Sequence, residues 1–187
     1  MKLMISDAEI VKGCIEGDRS LQKLLYDKFA PNMLGICSRY FRNIEEAEDA
    51  LQEGFIRVFF NIKSFRNEGP LEGWIRKVII NTALNYHRSN LKHFFHSDID
   101  ELDEMIEDEK AQIKQIEVED IMKVIQDLPI GYRLVFNLYE IDGYSHKEIA
   151  KMLNISKNTS KSQLLKAKKF LQKKLAGLQL DTFNIKY

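Results

Sequence analysis

Residues 156–169 read "SKNTSKSQLLKAKK", with five lysines and no acid. Lysine at this density suits one kind of chemistry, the neutralisation of a polyanion such as phosphate. The polar residues among the lysines add a second capacity, because Asn and Gln pair with adenine edges while cations hold the backbone. Bond-making chemistry has far less to work with. His87, His93, His96 and His146 form no H-E-x-x-H pattern, and His93-x-x-His96 alone is a poor metal ligand set. There is no glycine-rich phosphate loop, and the carboxylates cluster on faces that read as solvated. No enzyme, no cofactor and no small-molecule substrate is expected.

Two further constellations lie upstream. Glu45, Glu46, Asp49, Gln52, Glu53 and Arg57 share the polar face of one helical stretch, with Phe59 and Phe60 at its end. Adjacent aromatics cannot both enter one buried stripe, so an exposed phenylalanine beside acids points to a protein-binding surface. Lys77, Asn81, Asn85 and Arg88 then fall on one stripe of the next helix. Phe65, Arg66, Leu71 and Trp74 precede them around the loop "NEGP" at 67–70. Cations and amides beside aromatics suit a single strand with unstacked bases. For Trp74 packing into the core is the favoured reading, as tryptophan near a helix start is usually buried.

The elements that must hold these groups are helical. Three prolines and nine glycines punctuate 187 residues, and apolar residues recur at helical spacing almost throughout. Ile44, Ala47, Leu51, Phe55, Val58 and Ile62 trace one stripe, and Trp74, Ile75, Val78, Ile79, Thr82 and Tyr86 are available to a core. Ser145-x-x-Glu148 is a capping box opening a short helix with Ile149, Ala150 and Leu153 inward. Asn154 suits a left-handed turn, Ser156 an N-cap, and Leu164, Ala167 and Leu171 the inner face of a second helix. Helix, tight turn and capped helix make a helix-turn-helix, whose second helix enters the major groove. Its outward face would carry Lys157, Asn158, Lys161, Ser162, Leu165 and Lys168.

The zero net charge conceals segregation. Residues 1–97 hold 14 basic and 12 acidic side chains, residues 98–144 hold 4 and 14, and residues 145–187 hold 10 and 2. A terminal basic block addresses a polyanion, and the acidic run "DIDELDEMIEDEK" reads as a solvated linker. The fold expected is therefore all-α, with two small helical domains at 1–97 and 116–187 joined by a flexible acidic linker at 98–115. Cys14 and Cys37 suit reduced, buried thiols. No run approaches the roughly 18 apolar residues of a membrane span, and the start "MKLMISDAEI" lacks a secretory core, so a cytoplasmic chain is expected.

On these residues a family resemblance emerges. The stretch 26–88, with "EEAEDALQEGFIRVF" at its centre, resembles region 2 of the sigma-70 family, in its extracytoplasmic-function group. The stretch 128–175, with "GYSHKEIAKMLNIS", resembles that group's region 4. The resemblance implies a dissociable subunit of bacterial RNA polymerase that selects promoters. Asp49, Gln52, Glu53, Arg57 and Phe60 would bind core polymerase at its β′ clamp helices. Phe65, Arg66, Leu71, Trp74, Lys77, Asn81, Asn85 and Arg88 would read and melt the −10 element. Region 4 would dock on the β flap, with Ser156, Lys157, Asn158, Thr159, Lys161, Ser162, Gln163 and Lys166 on the −35 element. An anti-sigma factor is the implied inhibitor.

The chain departs from the family at four places in its second half. Members usually carry an apolar residue at Ser160, often an arginine at Gln163, and polar or basic residues at Leu165 and Phe170. Ser160 is expected to loosen the packing of its helix or to bond back to a preceding carbonyl. Gln163 would exchange a phosphate or guanine contact for one to adenine. Leu165 and Phe170 would touch a thymine methyl or an inhibitory partner. The competing functions are a helix-turn-helix regulator that acts without core polymerase, which has no need of the "EEAEDALQEGFIRVF" helix, and a helical adaptor, which leaves the basic C-terminal block unexplained.

Overall fold

In the computed structural model of the chain, residues 5–97 and 118–177 are described, with side chains for 5–88 and 121–175. The expected linker at 98–115 lies outside the described residues. Eight α-helices run α1 (Asp7–Glu16), α2 (Arg19–Tyr40), α3 (Ile44–Asn61), α4 (Leu71–Ser97), α5 (Val118–Asp127), α6 (Ile130–Phe136), α7 (His146–Leu153) and α8 (Lys157–Gly177), and no strand occurs among the described residues. The chain separates into two compact units, Met1–Tyr86 and His87–Tyr187, the division falling inside α4.

The first unit is a helical bundle opened by a capping box. Ser6 N donates to Glu9 Oε2 at 2.8 Å, and Glu9 N donates back to Ser6 Oγ at 3.3 Å. Asp18 caps α2 and Asn43 caps α3, each through a side-chain oxygen that accepts from the first-turn amides. α1 and α2 approach closely because Gly13 presents no side chain where Leu21 packs. On α3 the stripe Ala47, Leu51, Phe55, Val58 and Ile62 is buried, and Gly54 extends it. α4 answers with Ile75, Ile79, Ile80, Ala83 and Leu84.

Two expected core positions are corrected. Ile44 is largely exposed, for it stands on the first turn of α3 while Phe41, just before it, is buried completely. Tyr86 is also exposed over half its surface, with one edge of its ring packed on Phe41.

In the second unit, α5 ends before Pro129, which opens α6. Leu128, Tyr132 and Ala167 form a buried cluster over which Phe136, Phe170 and Leu171 pack, so α8 lies against α6. Buried Arg133 donates from Nη1 to Gln126 O at 2.7 Å, tying α6 back to α5. α6 runs on into one wide turn, Asn137–Ile141, where the amide of Asp142 reaches five residues back to Asn137 O at 2.9 Å.

The pair α7 and α8 then forms as its capping residues dictate. The Ser145–Glu148 box closes in both directions. Asn154 turns the chain at φ 55° and ψ 47°, with its amide on Ala150 O. Ser156 Oγ accepts from Thr159 N at 2.9 Å to start α8. Ion pairs return α8 to earlier elements, among them Lys168 with Glu140 at 2.8 Å and Lys174 with Asp127 at 3.8 Å.

Candidate nucleic-acid and protein interfaces

The start of α8 carries a run of exposed lysines. Lys157, Asn158, Lys161, Ser162, Leu165, Lys166 and Lys169 are all exposed along it. Leu165 is an apolar side chain 48% exposed among these lysines. The Lys166 ammonium sits 5.9 Å from the Tyr132 ring centroid, on the side of α8 that faces α6. Ser156 and Thr159 take part in the cap, their hydroxyls bonded to each other at 2.8 Å, and Ser156 stays exposed at the helix N-terminus. Oriented amides and clustered ammonium groups at one helix end make an anion-binding surface.

Three expectations for α8 are corrected. Gln163 is only 5% exposed, and its Oε1 has no hydrogen-bond partner. It lies on the inner face, four residues before Ala167, and does not present an amide to a base edge. Lys168 is half-buried and held by Glu140 rather than projecting outward. Ser160 does not bond back to a carbonyl. It is fully buried, and its hydroxyl meets His146 Nδ1 at 2.9 Å. The sequence treated His146 only as one of four scattered histidines, and no spacing rule links it to Ser160 fourteen residues on.

His146 is itself packed. Its ring stacks on Tyr139, with centroids 4.3 Å apart and planes at 19°. Partial burial lowers its pKa from the ordinary histidine range, Lys161 and Lys157 lower it further, and Glu140 opposes them.

In the first unit, the outer face of α3 carries the expected acids. Asp49, Gln52 and Glu53 are exposed, and Arg57 Nε donates to Glu53 Oε1 at 2.8 Å. Phe60 is 83% exposed, while Phe59 turns inward toward Phe55. Sequence reasoning missed Ile56, exposed one turn before Phe60. Together they place an apolar strip beside the acids, and the signal available was their spacing of four.

Asp49, Ala50, Glu53 and Arg57 also line one side of a groove of about 340 Å³, with Thr82, Asn85 and Tyr86 of α4 on the other. The groove thus brings three of the expected α3 residues together with Asn85. Lys77, Asn81, Asn85 and Arg88 are all exposed on α4. Ahead of them, Trp74 is half-buried with its ring 5.8 Å from that of Phe65, and Arg66 is exposed. Leu71 is a further correction: at 1% exposure it anchors the first turn of α4 in the core and offers nothing to a nucleic acid.

Comparison with known proteins places these faces in context. The model for Sigma-70 region 2 matches residues 25–92, and the model for Sigma-70, region 4 matches residues 119–171. The chain is similar to an RNA polymerase sigma-H factor of Pseudomonas aeruginosa, with 27% identity over 92% of this chain and 95% of the relative. It is similar to an ECF RNA polymerase sigma-E factor of Haemophilus influenzae, with 23% identity over 95% of this chain and all of the relative. Among solved structures, the sigma factor RpoE in complex with the anti-sigma factor NepR from Bartonella quintana shares the fold. Its TM-score is 0.53 at 19% identity, over 86% of this chain and 98% of that one. CnrH in complex with the cytosolic domain of CnrY gives a TM-score of 0.50 at 15% identity, over 94% of this chain and 99% of that one.

Proposed function

The chain belongs to the sigma-70 family, in its extracytoplasmic-function group, and is an alternative sigma factor that directs transcription initiation; from that premise we propose how its two units divide the work. Its partners are core RNA polymerase and promoter DNA. The acidic and apolar face of α3, with Asp49, Gln52, Glu53, Arg57 and Phe60, binds the β′ clamp helices of core polymerase. The loop and α4 face with Phe65, Arg66, Trp74, Lys77, Asn81, Asn85 and Arg88 engage the opened −10 element. The start of α8 with Lys157, Asn158, Lys161 and Ser162 lies in the major groove of the −35 element, with Lys166 at its flank, and the second unit docks on the β flap. An anti-sigma factor is the corresponding inhibitor, as the two structural neighbours are each held by a second protein. The protein acts by binding rather than by catalysis, and works in the cytoplasm, where its polymerase is.

The chemistry fits this division. Reading a duplex needs a rigid helix with cations at its start, which α8 supplies. Holding an opened strand needs amides, cations and aromatic edges near a loop, which α4 supplies. Each site alone is small, and polymerase fixes their spacing, so the assembled complex gains avidity that the free protein lacks.

The observation that carries the reading is the presence in one chain of an exposed basic α8 face and an exposed α3 face of acids with Ile56 and Phe60. A regulator acting on DNA alone needs only the first. Transcription by purified core polymerase on a promoter with matched −35 and −10 elements tests the proposal. Initiation that depends on the added protein supports it, and failure to associate with core polymerase overturns it.

A further inference from the structure

We propose that His146 and Ser160 act as a positioning pair, a polar clasp that sets α8 against α7 and so fixes how Lys157 and Lys161 meet the −35 duplex. The inference rests on the DNA-reading role of α8 given above. His146 is the first residue of α7, and Ser160 lies in the first turn of α8 beside Lys161. Their 2.9 Å hydrogen bond therefore joins the starts of two helices whose connection is a tight turn at Asn154.

The clasp is braced on both sides. The His146 ring is stacked on Tyr139, carried by the wide turn Asn137–Ile141. The next residue, Glu140, holds Lys168 two turns further along α8 at 2.8 Å. The path Tyr139–His146–Ser160 and the path Glu140–Lys168 tie the wide turn to α8 at two separated points. Two anchors on one helix restrict its rotation as well as its distance.

A buried hydroxyl without a partner is costly, so Ser160 in a fully buried position demands one. His146 provides it in either neutral tautomer, by accepting from the hydroxyl or by donating to it. Ser160 and His146 thus form a matched polar pair at a place where an apolar contact would otherwise join the helices. Unlike an apolar contact, the pair has a required direction, and its loss leaves the buried Ser160 hydroxyl without a partner.

The test measures binding of the full chain, complexed with core polymerase, to promoter duplexes with an intact or scrambled −35 element. Ser160→Ala and His146→Phe are each expected to reduce the −35-dependent gain about fivefold, and the double variant is expected to lose no more than either single variant. His146→Asn, whose amide occupies the place of Nδ1, is expected to stay within about twofold of the parent. Ser160→Ala removes a single oxygen and keeps the comparison readable if His146→Phe folds poorly. Multiplicative losses in the double variant, or a His146→Asn protein as weak as His146→Phe, would overturn the clasp. Lys161→Ala separates the two layers. A parent protein that gains nothing from the −35 element overturns the role of α8 itself. A gain that is lost in Lys161→Ala but indifferent to the clasp variants overturns only the clasp.

Discussion

Gly54 on α3 lies against Ile79 on α4 so closely that a β-carbon on Gly54 would fall 2.4 Å from Ile79 Cδ1. The outer face of α3 and the polar stripe of α4 belong to helices held together through this contact. Gly54→Ala gains about 1 kcal/mol of helix propensity but drives a methyl into a fully buried side chain, at a cost of about 1–3 kcal/mol. A net loss near 1 kcal/mol is expected in denaturant titration. Ile79→Val deletes the clashing methyl, so Gly54→Ala should be neutral or stabilising in that background. The same loss in both backgrounds would show that the contact is not the cause.

Charge reversal at Asp49 and Glu53 should weaken core polymerase binding by about tenfold or more, since both carboxylates are exposed on the face proposed to meet it. Glu53 also holds Arg57, so its reversal displaces a second member of that face. Binding titrations with labelled core polymerase report the change. Unaltered affinity would move the contact elsewhere on the unit.

Lys161→Ala should weaken promoter binding and make it less sensitive to salt. One phosphate contact contributes about one unit to the slope of log affinity against log salt. A slope unchanged from the parent would place the ammonium away from the backbone.

The second unit should lose stability on acidification. The His146 pKa is depressed in the fold by burial first, then by Lys161 and Lys157, with Glu140 opposing. The unfolded chain, with a histidine near about 6.5, then binds the proton more readily. The contribution is present above that value and fades as pH falls through the lower folded value. Amide exchange in α7 followed between pH 7.5 and 5.5 should show it, and His146→Asn should flatten the change. Parallel profiles for the two proteins would exclude His146 as the source.

Cys37 should resist alkylation in the native protein. Burial pushes its thiol up to about 12, and Cys14 is raised too, by burial and then by Asp18. Only the thiolate reacts, so modification at pH 8 should track unfolding. Rapid labelling of Cys37 in the folded chain would contradict this packing.

Much of the second unit was legible because its signals are local. Ser145, Glu148, Asn154 and Ser156 each satisfy a named backbone group within four residues of themselves. The inner face of α8 was only half legible. Gln163 occupies an inward position with a polar side chain, so a search for apolar spacing passed over it and found Leu164 and Ala167, while Ser160 was legible as a packing position but its partner was not. What redeems Ser160 is a histidine on another helix, and no local rule carries that information. Leu71 failed for a different reason. Next to a loop with Arg66 and Trp74 it resembled part of a binding surface, yet the first turn of α4 already enters the core. Ile44 erred the other way, as an apolar residue in phase with its stripe but ahead of the packed stretch.

The wide turn at Asn137–Ile141 makes this spot tolerant of a shorter chain. Removing one residue from an ordinary α-helix rotates everything beyond it by about 100°. A turn closed over five residues instead of four stores one residue of slack, and losing it restores a regular turn with the flanking faces still aligned. Deleting one residue from this turn is therefore expected to leave α7 and α8 aimed as before. The same deletion inside α8 would turn every side chain beyond it away from its partner.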